Sequence, residues 1–480
     1  MSESASTEKP GSTENADSTT GTGLRGLTRG LPALLKLGLP LVAGMGGHAF
    51  FNLIDLAMVG AYESDPHLAE LTISGVTIAS LLITVPLVFV NGISNGTVAV
   101  IAQQFGAGKM KRANRSARQA LLLALVLSVV LGVLPGLFSG PIVSMFDVTS
   151  PLERSVAEQY FAIMSHGAIT GFLLVQITAN MRAIGMGMWP MVLLLTSNAG
   201  NIIGNYVLIF GKWGFPELGA TGAAWSTTIA RGVAILIGAA VLFRAHPSIR
   251  IGWTGWRIDK RVLRNVAGVG LPVALQWTVR MVGMLALLLV VSPFGSPVKA
   301  AFGVGTRLDT LATFAGLGWG GACAAMLGQR LAQDRIADAR RVALQSAILN
   351  VATMSLLAAV FYIWAAPLIR LFSLSVDGPV DPDSVAHGVT YLRIVVLSYP
   401  FYALTIIWCH ALNGAGSMKT PLLIDAIGLL AVQIPLAWWL STTDLAETGA
   451  WWAMVVSQIL MALVYWLVFR GGAWESKRLR

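Results

Sequence analysis

Three polar side chains, His48, Asn52 and Asp55, stand in the run Pro40–Gly60, which is otherwise apolar enough to cross a bilayer. Their i, i+4, i+7 spacing places them on one face of a helix, where they can line a polar cavity while the opposite face meets lipid. An aspartate at that depth costs about 2.5–3.5 kcal/mol on insertion scales, so its first reading is a proton or ion relay. His48 has two readings, a hydrogen-bonded core histidine or a second member of that relay. Two sets of asparagines keep helical spacing as well, Asn91 with Asn95, and Asn198 with Asn201 and Asn205. Such amides either join helices, at about 0.6 kcal/mol each, or line a cavity; the shared direction of each set favours the cavity.

These residues need a frame of membrane helices, and the composition supplies one. Of 480 residues, 55% are hydrophobic and 12% charged, with a mean hydropathy of +0.69. Soluble domains hold about 25% charged residues, so the fold class is an all-α polytopic membrane protein. Twelve apolar spans are expected near 33–60, 71–100, 117–142, 155–179, 188–211, 217–243, 266–292, 298–328, 343–371, 387–412, 420–441 and 447–470. Of the 33 Lys and Arg residues, 25 fall in the termini and in alternate loops on one side, and only Arg154, Lys212, Lys299 and Arg370 on the other. By the positive-inside rule both termini are cytoplasmic, which places the protein in the cell membrane. Arg231, Arg280, Arg307 and Arg393 remain within spans, where they need partners or water. The net charge of +10 is thereby accounted for without a nucleic acid partner. Cys323 and Cys409 both lie in apolar spans, which argues against a disulfide framework or a zinc site.

An internal repeat divides the chain. Leu39-Pro40 recurs as Leu271-Pro272, an offset of 232. Asn180–Gly185 recurs as Ala411–Gly416, an offset of 231, and Gln103–Gln119 as Gln329–Gln345, an offset of 226. Each offset encloses six crossings, so the halves have the same sidedness and form a parallel repeat about an axis along the membrane normal. The expected organisation is a disordered polar tail (1–30), an N-lobe of six spans (31–243), a basic linker (244–265), a C-lobe of six spans (266–470) and a basic tail (471–480).

Four motifs in order carry a family resemblance: Asn52-Leu53-Ile54-Asp55 with Val59-Gly60, Ala102–Gly108, Arg182-Ala183-Ile184-Gly185, and Asn201 followed by Gly211–Ala224. With them the chain resembles the multidrug and toxic compound extrusion (MATE) family, its NorM-type branch in particular. The resemblance implies two six-helix lobes in a V around a central cavity, exporting cationic or amphipathic compounds against H⁺ or, as the lesser alternative, Na⁺. It carries Asp55 onto the family's first-span coupling acid, Asn201 and Thr227 onto polar positions of the fifth and sixth spans, and Asn205 onto a position where many relatives have a second acid. In the C-lobe it departs: Arg280 and Tyr402 stand near positions where that branch has a glutamate and an aspartate. The expected coupling set is Asp55, Asn52, Asn201, Asn205, Thr227 and His48. The expected substrate cavity adds Asn91, Asn95, Asn198, Trp277, Arg280, Met281 and Tyr402, with Trp277 and Met281 as aromatic and soft walls.

Two further acids lie within spans. Asp309, two residues from Arg307, is expected in a structural ion pair with it, whereas Asp425 is open between a structural and a functional role. The main rival function is a flippase for lipid-linked saccharides, which the arginines Arg231, Arg280 and Arg307 would suit. An intramembrane enzyme lacks its constellation, because the six histidines are scattered and form no metal-binding pair. ATP-driven pumping is excluded by the lack of a phosphate-binding loop with its lysine. The expected protein is therefore a cofactor-free monomeric antiporter whose partners are small amphipathic molecules and the bilayer.

Overall fold

The computed structural model describes residues 30–60, 62, 65–146, 148, 150–244, 256–373, 382–477 and 479. The tail 1–29, half of the linker (245–255) and the side chain of Asn52 lie outside them. Twelve helical passes run through the described residues. In the first half they are α1 (Leu31–Gly60), α2 (Pro66–Gly106), α3 (Met110–Ser128, continued by a π turn to Gly136), α4 (Pro151–His166 and Ala168–Ala183), α5 (Met188–Leu208) and α6 (Ala220–Arg244). In the second half they are α7 (Lys260–Val291), α8 (Ser296–Ala332), α9 (Ile336–Ile363), α10 (Pro382–Val395 and Tyr399–Ala415), α11 (Lys419–Asp425, a π segment, then Ile434–Ser441) and α12 (Glu447–Arg470). The two pieces of α4 meet at 46° next to Gly167, where a Cβ would press on the Thr228 side chain of α6. Several ends follow from local chemistry. Asp65 caps α2 by accepting from His67 N at 2.9 Å ahead of Pro66, Asp259 caps α7 through Arg261 N at 3.0 Å, and Gly416 ends α10 in the left-handed region at φ 93°.

The lobes share one core at the end where the basic loops lie. Leu34, Leu37, Ile101 and Ala102 of the N-lobe pack there with Trp319, Ala322, Leu327, Ile407 and Leu412 of the C-lobe. At the other end each lobe closes on itself. Val59, Val76, Tyr160, Phe161 and Ile209 form one cluster, and Leu287, Phe302, Tyr391, Tyr399 and Trp451 another. The molecule is thus a V, joined at its basic end.

The joint has the twofold character that the repeat requires. Gln329 Nε2 donates to Ala183 O across the seam at 2.8 Å, and Gln103 Nε2 donates to Gly414 O at 3.2 Å. The offsets of 226 and 231 exchange these two bonds: Gln103 maps on Gln329 and Ala183 on Gly414. Helix contacts repeat the exchange, with α1 packed on α8 and α7 packed on α2. Backbones touch there, so glycine is required: a Cβ at Gly318 would stand 2.6 Å from Val42 Cα, and one at Gly96 2.6 Å from Gly270 Cα. The C-terminal residues, expected as a tail, pack on this seam. Trp474 is buried and donates to Phe469 O, Glu475 pairs with Arg340, and Leu479 N donates to Gln103 Oε1 at 2.8 Å.

Because neither backbone at Gly96 can swing aside, Gly96→Val should cost about 1–3 kcal/mol through overpacking and shift the lobes toward separation at the basic end. Gly46, with nothing within 4 Å of its would-be Cβ, is the control: Gly46→Ala should be neutral or slightly stabilising. Distances between spin labels on the two lobes, measured beside thermal stability, check both; an unchanged seam distance in Gly96→Val would contradict this account of the joint.

Candidate functional site

Asp55 sits on the far half of α1, held by α5. Asn205 Nδ2 donates to its Oδ1 at 2.5 Å, from a side chain that is itself fully buried. The amide of Asn201, one turn back, satisfies its neighbours when Nδ2 donates to the same Oδ1 at 3.0 Å and its oxygen accepts from Thr227 Oγ1 of α6 at 2.8 Å. Asp55 Oδ2 has no hydrogen-bond partner among the described residues. One turn further along α5, Asn198 Oδ1 bonds His48 Nδ1 at 3.1 Å, and the His48 ring meets Phe314 of α8 edge-on at 6.1 Å. The 3–4 residue rhythm of the asparagines on α5 is what lines all three along α1.

This face borders a cavity of about 380 Å³. Besides His48, Asp55, Asn198, Asn201 and Thr227, its wall includes Thr77, Ser80 and Thr84 of α2 and Tyr160 and Met164 of α4. Two guanidinium residues complete it, Arg231 of α6 and Arg307 of α8. The absence of a side chain at Gly171 makes room for the former, since a methyl there would lie 3.3 Å from Arg231 Nη1. The sequence leaves both arginines in need of partners or water; their place beside Asp55 depends on how α4, α6 and α8 assemble. Tyr160 carried no signal in the sequence.

The residues expected to line one substrate cavity divide. Asn198 joins the large N-lobe cavity, while Asn95, Trp277 and Arg280 line a separate one of only about 20 Å³ between the lobes, too small for a drug-sized molecule. Asn91 turns its amide to Leu87 O at 2.9 Å, so its helical register with Asn95 does not bring the two to one cavity. Tyr402 packs against the far-end core of the C-lobe, and Met281 is half-buried on α7 outside both cavity walls.

The other span acids are enclosed. Asp309 accepts from Tyr391 Oη at 2.5 Å and Tyr399 Oη at 2.7 Å, so its partners are tyrosines of α10 where the sequence suggested Arg307. Asp425 is wholly buried and accepts from Arg280 Nε at 2.7 Å, Gln276 Nε2 at 2.8 Å and Tyr465 Oη at 2.7 Å. Arg280 thereby has its counter-charge within the C-lobe.

The sequence matches the MatE family twice, over residues 40–207 and again over 272–439. The chain belongs to the MatE family. The two matches begin on the repeated prolines Pro40 and Pro272, and the second reproduces the first in the second lobe. Members of this family are transporters and not enzymes. The chain is 26% identical over 448 residues to the probable multidrug resistance protein NorM of Thermotoga maritima, covering 92% of this chain and 93% of that one. It is 25% identical over 462 residues to multidrug resistance protein MdtK of Edwardsiella ictaluri, covering 93% and 97%. Among solved structures, the outward-facing conformation of a multidrug resistance MATE family transporter of the MOP superfamily superposes with a TM-score of 0.82 at 21% identity, covering 92% of this chain and 95% of that one. A MOP superfamily transporter from Pyrococcus furiosus superposes with a TM-score of 0.83 at 19% identity, again covering 92% and 95%. At these identities the likeness is one of fold.

The pair Arg280–Asp425 makes a stability test for this MatE protein. Removing one member of a buried pair strands the other charge and costs about 3–5 kcal/mol, while replacing both with apolar residues is often near neutral. Asp425→Asn should therefore unfold at lower temperature than the double substitution Arg280→Met with Asp425→Leu. Unfolding of the purified protein in detergent checks the order; a double variant as unstable as the sum of the two singles would show that the pair is not coupled.

Proposed function

We propose that this MatE protein is a secondary antiporter of the cell membrane that exports cationic or amphipathic organic compounds in exchange for protons, with both termini on the cytoplasmic side. The observation that carries the proposal is Asp55, an acid on the wall of a 380 Å³ cavity with one carboxylate oxygen held by two amides. A neutral amide can stay beside either protonation state of the acid, so proton release changes the charge of the cavity without breaking its frame. Substrate and proton then compete for one cavity as the lobes rock, which is the requirement for exchange. The names of the relatives, multidrug resistance proteins in two genera, support export of varied compounds. The seam, closed on the basic-loop side, supports an arrangement in which the cavity faces outward when the lobes are joined as here.

Protons suit the site better than Na⁺. Sodium asks for several oxygen ligands, whereas Asn205 and Asn201 present N–H groups to Asp55, and the guanidinium of Arg231 on the same wall repels a second cation. In the C-lobe, Asp425 is already neutralised by Arg280 and both oxygens of Asp309 are engaged by phenol hydrogen bonds, which leaves the spans of that lobe without an open carboxylate pair among the described residues. The arginines also place a limit on substrates: with Arg231 and Arg307 on the wall, compact cations are disfavoured relative to amphipathic ones whose charge is spread or balanced. A lipid-linked saccharide flippase is the second reading, because those two arginines do line the larger cavity. Its volume of 380 Å³ matches a drug-sized molecule, in the range of roughly 300–1,000 Å³, and supports the exporter.

Transport into everted vesicles tests this in two arms. Asp55→Asn should assemble normally yet lose proton-driven export, falling by at least about tenfold to background; full gradient-driven transport in that variant would remove the proposed role of Asp55. With the unaltered protein, a Na⁺ gradient directed out of the vesicle lumen, alone, at equal pH and clamped potential, should drive no export. Robust Na⁺-dependent transport would replace the proton as coupling ion while leaving the exporter reading in place.

A further inference from the structure

The small cavity in the seam holds an imbalance of charge. Arg182, at the end of α4 in the N-lobe, is only 6% exposed, yet among the described residues it makes one hydrogen bond: Nη2 donates to the neutral Asn95 Oδ1 at 3.2 Å, and Nε has no partner there. Across the cavity stands Arg280 of the C-lobe, whose charge is cancelled by Asp425 through Nε. Asp425 accepts from Gln276 and Tyr465 as well as from that arginine, so its single negative charge is already matched and engaged. Of the remaining walls, His410 bonds Ile406 O through Nδ1 at 2.8 Å, and the others, among them Val98, Trp277, Cys409 and Asn413, carry no charge. The C-terminus of α4 offers Arg182 about half of one negative charge at most. One buried positive charge is left over, and an uncompensated ion in such a place costs several kcal/mol.

We propose that this cavity is a binding site for a small monovalent anion of the size of chloride, held between Arg182 of one lobe and the free edge of Arg280 of the other. The net charge of the walls, one positive, matches a single negative charge. The volume, about 20 Å³, is enough for one water-sized particle, which needs about 10–15 Å³, and excludes phosphate, sulfate and organic anions. Because the two guanidinium groups belong to different lobes, the anion bridges the seam on the side where Gln103 and Gln329 also cross it. It stabilises the joined arrangement and is released when the lobes part, a ligand for one conformation only. The site is distinct from the Asp55 cavity, and its existence does not depend on which compound or ion the transporter carries.

Two measurements on the purified full-length protein test it. Exchanging gluconate for chloride at constant ionic strength should raise Tm saturably by a few degrees. Arg182→Gln should abolish that dependence, while Arg182→Lys, which keeps the charge, should retain it with weaker affinity. Crystals or frozen samples of the unaltered protein in bromide, with the seam closed, should show one bromide between Arg182 and Arg280. The bromide arm decides the matter even if Arg182→Gln fails to fold. A chloride effect that persists in Arg182→Gln, or a water in place of bromide between the two arginines, would overturn the proposal.

Discussion

Every ionisable group inside this protein has had to be neutralised, hydrogen-bonded or opened to a cavity, because hydrocarbon offers no partner. The three acids in the spans show three outcomes. Asp425 is matched by a guanidinium, Asp309 by two phenols, and Asp55 by two amides on one oxygen with the other left free. The first two arrangements fix charge and proton in place. The third does not, and it borders a cavity large enough for an organic molecule. The kind of donor that each carboxylate meets is therefore what sets Asp55 apart from the other two.

The repeat gives the scaffold its symmetry, and these same groups break it. Gln103 with Gly414 and Gln329 with Ala183 are one contact written twice, and the glycine-lined crossings of α1 on α8 and α7 on α2 are another. The joint is therefore twofold in its contacts as well as in its sequence. Asp55 has no acidic equivalent: the 232-residue offset carries it to Leu287, in the core of the C-lobe. The two lobes thus share a joint but differ in their polar groups, with the Asp55 cavity in one and a hydrogen-bonded network of Gln276, Arg280, Asp425 and Tyr465 in the other.

Much of this was written in the sequence. The number of passes, their common all-α class, the parallel repeat and the singular cost of Asp55 follow from periodicity and transfer energies, which are local or additive properties. The α5 asparagines were legible too, since helical spacing is enough to align Asn198, Asn201 and Asn205 on one face. Spacing could not say which neighbour that face would meet. It placed Asn91 beside Asn95, yet Asn91 bonds its own backbone at Leu87, because a side chain one turn away from a cavity can satisfy itself without entering it.

The pairings across long stretches of chain belonged to the tertiary structure alone. Arg280 and Asp425 lie 145 residues apart, and Asp309 meets Tyr391 and Tyr399 from 82 and 90 residues away. Arg307, its neighbour in sequence, projects to a different cavity, because residues two apart on a helix point to different faces. Arg182 was a motif residue in sequence, and only the docking of the second lobe over it made it a buried charge. The sequence determined which groups are expensive in a membrane. Their partners were decided by which helices pack together, for the energy of a charge depends on what surrounds it in space.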